Sequence, residues 1–166
     1  MNQRWKPSST VAAIIEQKGR FLLVEEHSPE GVRLNNPAGH LDPGESLIEA
    51  CVRETLEETA YEFTPESIIG IYLSRFSRKG TKDIALEDIS YLRFAFTGTL
   101  GQLLSNRSLD HGIIRTMWLT PDEIRNSKQL HRSPLVLQCV EDYLIGQRFD
   151  LSVLKTLKSI YGPMES

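Results

Sequence analysis

The chain has 166 residues, of which 40% are hydrophobic and 25% charged, with a net charge of -3. That length suits one compact domain, expected over residues 1–166 with its core at about 8–155, because single domains commonly run to about 100–200 residues. The charge argues against a broad grip on DNA or RNA, which relies on Lys and Arg neutralising phosphates, but not against a small phosphorylated ligand.

Residues 10–16 and 20–26 are apolar runs rich in Val, Ile, Leu and Phe, joined across Gln17-Lys18-Gly19. They predict a β-hairpin, with Gly19 supplying a positive φ for the turn. Residues 34–41 contain Asn36-Pro37-Ala38-Gly39-His40, where Pro and Gly mark an irregular or edge segment rather than a central strand. Asp42-Pro43-Gly44 is a turn signal that leads into the strongest helix of the chain. Ser46 is a good N-cap, Glu49 completes a capping box, and the helix is expected to reach about Thr59. Ile48, Val52 and Leu56 fall at i, i+4 and i+8 and predict the stripe that faces the core.

A turn at Thr64-Pro65 is expected to precede a strand at 68–73. Residues 74–88 are polar, with Arg75, Arg78, Lys79 and Lys82, and read as a loop. Residues 89–97 alternate, Leu92, Phe94 and Phe96 against Tyr91, Arg93 and Ala95, which predicts a half-buried strand. Another strand is expected at 113–119. Thr120-Pro121-Asp122-Glu123 opens a helix, with Thr as the cap, Pro at the first position and Glu closing the box. Ser133-Pro134 opens the last helix, which should end near Gly146. Strands, one helix, more strands and then helices pack most economically as a mixed sheet between helices.

Cys51 and Cys139 fit neither a disulfide framework nor a CxxC zinc site and read as small buried thiols of a reducing compartment. The first ten residues hold no apolar signal region, and no run approaches the ~18 apolar residues of a membrane span. The expectation is a cytoplasmic protein with no membrane contact.

On the helix at 46–59, Glu54, Glu57 and Glu58 fall within an arc of about 100°, opposite the Ile48/Val52/Leu56 stripe. Carboxylates at i, i+3 and i+4 repel by tenths of a kcal/mol per pair. Arg53 relieves part of this, and a hard divalent cation would relieve more. Three glutamates on a helix face are usually a solvated surface. Here, however, Gly39 and Glu45 precede them, spaced six and then eight residues before Arg53.

The segment from Gly39 to Tyr61, GHLDPGESLIEACVRETLEETAY, resembles the Nudix box. That motif reads Gly, five residues, Glu, seven residues, Arg-Glu, an aliphatic residue, any residue, Glu-Glu, any residue, Gly and an aliphatic residue. Six fixed letters match, namely Gly39, Glu45, Arg53, Glu54, Glu57 and Glu58. At about 5–7% usage per residue type, such a match arises by chance at on the order of one position in ten million. Thr55 stands where the family prefers an aliphatic residue, and Ala60 where it has Gly.

The resemblance implies an α/β/α sandwich with a mixed sheet between helices, and it implies roles. In the family, the glutamates matching Glu54, Glu57 and Glu58 bind divalent metals, helped by the backbone carbonyl matching Gly39. Mg²⁺ is the cofactor so implied, with Mn²⁺ as a substitute. Arg53 is expected to orient the carboxylates through an ion pair with Glu45 or Glu54. Glu57 is the first choice for general base, then Glu54, with Asp110 and Glu87 as candidates outside the box.

The NPAGHL lead-in, Leu109-Asp110-His111-Gly112-Ile113, and the tail from Arg132 to Phe149 resemble the NudJ-like phosphatase subgroup of that family. This implies release of inorganic phosphate from nucleoside tri- and diphosphates or a related organic pyrophosphate. An ADP-ribose or nucleoside-diphosphate-sugar pyrophosphatase is the alternative enzyme, and a non-catalytic nucleotide sensor the alternative of another class. Arg75, Arg93, Lys82 and Tyr91 are the candidate substrate contacts. Arg132 and Ser133 are expected at the cap of the last helix, and His111 at the surface. The expected partner is a small molecule, with no stable nucleic acid, and the chain is taken as monomer or homodimer.

Overall fold

The computed structural model of the protein describes residues 4–78 and 87–162. In chain order, these form β1 (Ser8–Ala13), β2 (Glu16–Gln17), β3 (Arg20–Ser28), β4 (Gly31–Asn35), β5 (Ala38–His40), α1 (Leu47–Thr59), β6 (Tyr61–Arg78) and β7 (Glu87–Leu103). Then follow β8 (Ile113–Leu119), α2 (Pro121–Asn126), α3 (Leu135–Leu144) and β9 (Phe149–Asp150), with short 3-10 turns after α2 and after β9.

One sheet has the order β5-β1-β7-β6-β9 and is mixed, because β1 and β7 run parallel while its other pairs are antiparallel. The second joins β2, β3, β4 and β8, with β3 pairing all three of the others antiparallel.

The chain passes from one sheet to the other between Ile14 and Ile15. Ile14 N–H donates to Phe96 O at 2.7 Å in the first sheet, and Ile15 O accepts from Leu22 N–H at 2.9 Å in the second. The hairpin expected over 10–16 and 20–26 is therefore confined to β2 and β3. Its two central residues, Lys18 and Gly19, have φ of 52° and 77°, the twist that a tight two-residue hairpin needs.

Alternation along the strands feeds two cores on opposite faces. Ile14, Phe21, Leu23, Ile69 and Ala95 pack with Ile124, Val136, Cys139 and Val140 of α2 and α3. Their strand neighbours Ile15, Leu22, Ile68 and Phe96 pack with Ala50 and Cys51 of α1. Helices thus cover both sides of the mixed sheet, the architecture expected from the element order. None of the described helices is long and apolar enough to cross a membrane.

Three local expectations change. Thr64-Pro65 is not a turn but a bulged stretch of β6, with register shifts on either side of it. Gly98 makes this possible, since a Cβ there would lie 1.9 Å from Thr64 O. The polar run 74–88 is not all loop: β6 reaches Arg78 and β7 begins at Glu87, because long strands with cross-strand partners carry polar side chains on an exposed hairpin. The core-facing side of α1 is Ala50, Cys51, Thr55, Glu58 and Thr59, whereas Ile48, Val52 and Leu56 are half-buried at its flank. Small residues let the helix approach β1 and β6 closely, and a carboxylate that pattern reading assigns to solvent lies inside instead.

Candidate active site

The helix that presents the carboxylates is fixed at both ends. Ser46 Oγ accepts from Glu49 N–H at 3.2 Å, while Glu49 Oε2 accepts from Ser46 N–H at 2.7 Å. Thr55 and Thr59, buried where aliphatic side chains are more usual, donate to the carbonyls of Cys51 and Thr55 at 2.7 and 2.6 Å. Their hydroxyls are satisfied without leaving the helix. Ala60 closes α1 in the left-handed conformation, φ 59°, which costs a non-Gly residue about 1–2 kcal/mol.

Arg53 is the hub of the cluster. Its Nε and Nη2 donate to the two oxygens of Glu45 at 2.9 and 2.7 Å, a bidentate pair. Nη1 donates to Glu54 Oε1 at 2.8 Å and Glu57 Oε2 at 3.1 Å, and Nη2 also reaches His40 O at 2.9 Å. One guanidinium therefore ties Glu45, Glu54, Glu57 and the strand β5 together. Hydrogen bonding to Arg53 holds the Glu45 carboxyl below its ordinary range, whereas burial outweighs Arg53 and pushes Glu54 above it.

Beside this cluster lies a cleft of about 410 Å³, lined by Gly39, Glu54 and Glu58 together with Glu26, Tyr91, Arg93 and Arg132. Glu58 is only 7% exposed and accepts from Ala38 N–H at 2.9 Å. Burial, with Glu26, Glu54 and Asp110 adding repulsion, pushes its carboxyl up to about 9. A Cβ on Gly39 would sit 2.0 Å from Glu54 Cδ, so only glycine lets the Glu54 carboxylate lie against β5.

Glu57 turns towards Arg53 rather than lining the cleft. Among the described residues, no three His, Cys, Asp or Glu side chains converge as a ready-made metal cage. The donor set nevertheless suits a hard cation, being all oxygen, backed by a glycine backbone, and with Glu54 and Glu58 pushed up by burial and by neighbouring carboxylates.

The other expected residues divide. Arg93 and Tyr91 line the cleft. Arg75 does not: it is exposed and pairs with Asp88 in a separate groove with Trp5 and Leu73. Lys79 and Lys82, and the side chains of Arg78 and Glu87, lie outside the described residues. Asp110 is exposed, and its N–H donates to Glu57 O at 2.9 Å beyond the end of α1. His111 is exposed as well.

Arg132 is not a helix cap. Its Nε lies 3.6 Å from Glu26 Oε1 and its N–H donates to Leu34 O, which places the side chain at the cleft. Ser133 Oγ accepts from Leu135 N–H at 3.3 Å, although α3 begins at a Pro134 cap. Glu26, Asn35 and Thr10 also line the cleft. They lie on three different strands at no fixed spacing, so nothing in the sequence joined them.

The NUDIX domain profile matches residues 5–138. Phosphatase NudJ of Escherichia coli K12 is 35% identical over 150 residues, covering 90% of this chain and 92% of that protein. The Shigella flexneri phosphatase NudJ matches to the same extent. A solved NUDIX hydrolase from Nitrosomonas europaea is 47% identical, with a TM-score of 0.78 over 92% of this chain and 98% of its own. With the box on α1, its arginine tied to three of its glutamates and the mixed sheet between helices, these similarities lead to one conclusion: the chain belongs to the Nudix hydrolase family.

Proposed function

We propose that the protein is a divalent-metal-dependent phosphatase that releases inorganic phosphate from nucleoside tri- or diphosphates or a related organic pyrophosphate. The observation that carries this is that Glu54, Glu58, Gly39 and Arg93 line a single cleft. The relatives named phosphatase NudJ support the bond class. Glu54, Glu57 and Glu58 would hold the cation, Mg²⁺ first and Mn²⁺ as a substitute, with the Gly39 carbonyl. A cation bound there neutralises phosphate charge and lowers the pKa of water.

The chain's own groups do the rest. Arg53 holds Glu45, Glu54 and Glu57 in register, and it keeps one Glu57 oxygen oriented by a 3.1 Å bond. Glu57 takes the proton of the attacking water, with Glu54 the next choice. Arg93 receives an anionic oxygen in the same cleft, and Tyr91 offers an aromatic face.

The test is orthophosphate and pyrophosphate release from nucleoside tri- and diphosphates and ADP-ribose, with Mg²⁺ and with EDTA. Metal-dependent orthophosphate from several nucleotides is expected, reduced by about 10²–10⁴ in Glu57→Gln. Turnover of ADP-ribose alone, or no orthophosphate from any nucleotide, would overturn the reading.

A further inference from the structure

Arg93 is only 4% exposed, yet among the described residues it makes no ion pair. Its Nε has no hydrogen-bond partner, and its bond to Asn36 Oδ1 is long, at 3.5 Å. Buried charges are normally paired, so the groups around this guanidinium matter. Across the β6–β7 pair its register partner is Tyr72, and directly opposed strand residues share a face. Tyr72 in turn packs against the apolar layer that contains Cys139 and Val136 of α3.

Tyr72 is fixed at its far end. Its hydroxyl donates to Asp142 Oδ2 at 2.8 Å, and Gln138 Nε2 donates to the other oxygen of that carboxylate at 3.0 Å. Gln138 and Asp142 both belong to α3. A Cβ on Gly70 would lie 2.6 Å from the Tyr72 hydroxyl oxygen, so glycine there leaves room for the phenol to lie back along β6. Burial, with Cys139 and Asp142 beside it, pushes the phenol above its ordinary range, so it keeps its proton and remains a donor. The buried Cys139 thiol has Tyr72 and Arg93 as its hydrogen-bonding neighbours.

The donors line up in one direction. A guanidinium only donates, a thiol and a phenol each accept and donate, and a carboxylate only accepts. Arg93, Cys139, Tyr72 and Asp142 therefore form a sequence in which each group can donate to the next, and it ends on a negative charge. Hydrogen bonds in such a chain strengthen one another in a low-dielectric interior. A tie between α3 and β6 alone would need only Tyr72 and Asp142 and would leave Arg93 untouched.

We propose that Tyr72 and Asp142 are positioning residues for Arg93, holding its guanidinium in the cleft through the Cys139 thiol. The inference rests on Arg93 receiving an anionic oxygen of the substrate, as proposed above. A guanidinium recognises such oxygens through N–H groups of fixed direction, not through charge alone. The helix α3, on the opposite face of the sheet from the carboxylate-bearing helix, then sets that direction.

A double-mutant cycle tests this. Calorimetry measures binding of α,β-methylene-ADP with Mg²⁺ to the wild type, Tyr72→Phe, Arg93→Lys and the double variant. Tyr72→Phe keeps the ring and removes only the hydroxyl, while Arg93→Lys keeps the charge and loses the fork. Tyr72→Phe is expected to weaken binding about fivefold in the wild-type background and less than about twofold in the Arg93→Lys background. A general loosening of α3 would weaken both backgrounds alike. Asp142→Asn, at the half-buried end of the chain, is expected to repeat the pattern more weakly, and it replaces Tyr72→Phe in the cycle if that variant does not fold. Equal losses in the two backgrounds, no loss in either, or no binding by the wild type would overturn the positioning role. Orthophosphate release together with equal losses would overturn that role and leave the phosphatase reading, whereas coupled losses without release would do the reverse.

Discussion

Glu58 sits at 7% exposure with one backbone N–H, from Ala38, to satisfy it, so its carboxyl is pushed up to about 9 from an ordinary value of 4.5. The consequence for stability has a definite sign. Above about pH 4.5 the unfolded chain releases this proton, while the folded, metal-free protein keeps it until about 9. Stability therefore falls as pH rises through that window, by an amount on the order of a few kcal/mol. In EDTA, the melting temperature is expected to fall steadily from pH 5 to pH 9, and Glu58→Gln should remove most of the slope. An equal slope in that variant would assign the effect to another group. Gly39 acts at the same scale, because the Glu54 carboxylate occupies the space a side chain at residue 39 would need.

The helix α1 carries Arg53 and three box glutamates on one rigid element, so its ends matter more than its middle. The capping box at Ser46 and Glu49 satisfies donors that the first turn leaves open. Ser46→Ala is expected to destabilise the protein by about 1 kcal/mol, a drop of about 2–4 °C for a chain of this size. Thermal melts check this, and a variant that melts with the wild type would show that tertiary packing alone holds the helix start. Along β6 and β7 the controlling feature is the bulge at Pro65. Proline has no N–H for the ladder, and Gly98 yields the space through which the Thr64 carbonyl passes.

In the whole molecule, the sheet divides two apolar layers, and each contains one cysteine: Cys139 with α2 and α3, Cys51 with α1. Both thiols are buried, and burial pushes both above the ordinary thiol range. Neither is expected to react with a water-borne disulfide reagent in the native state, while both should react fully in guanidinium. Reaction of one thiol ahead of the other would identify the layer that opens first. Rapid labelling of both in the native protein would contradict the packing described here.

Where a feature is local, the sequence carries it. The capping boxes at Ser46 and Thr120 and the spacing from Gly39 to Glu58 are set within a few turns of chain, and the structure places them as the letters suggest. Cap and proline signals also marked the starts of α2 and α3, and periodicity marked the strand over 89–97 that lies within β7. It misjudged the buried face of α1, since a pattern cannot reveal that the arc bearing Glu58 faces a cleft rather than water. It also could not divide 10–16 between two sheets, because Ile14 and Ile15 are both apolar and only their partners, Phe96 and Leu22, differ.

Most of the cleft beyond the box had no sequence signal. Arg93 and Tyr91 stand out on an alternating strand, but Thr10, Glu26, Asn35 and Arg132 come from β1, β3, β4 and the segment before α3, and each alone reads as an ordinary strand or loop residue. The sequence by itself determined the family and the carboxylate-bearing helix, because one helix and its lead-in encode them contiguously. Only the tertiary structure decided what faces those carboxylates, because that surface exists only once distant strands have paired.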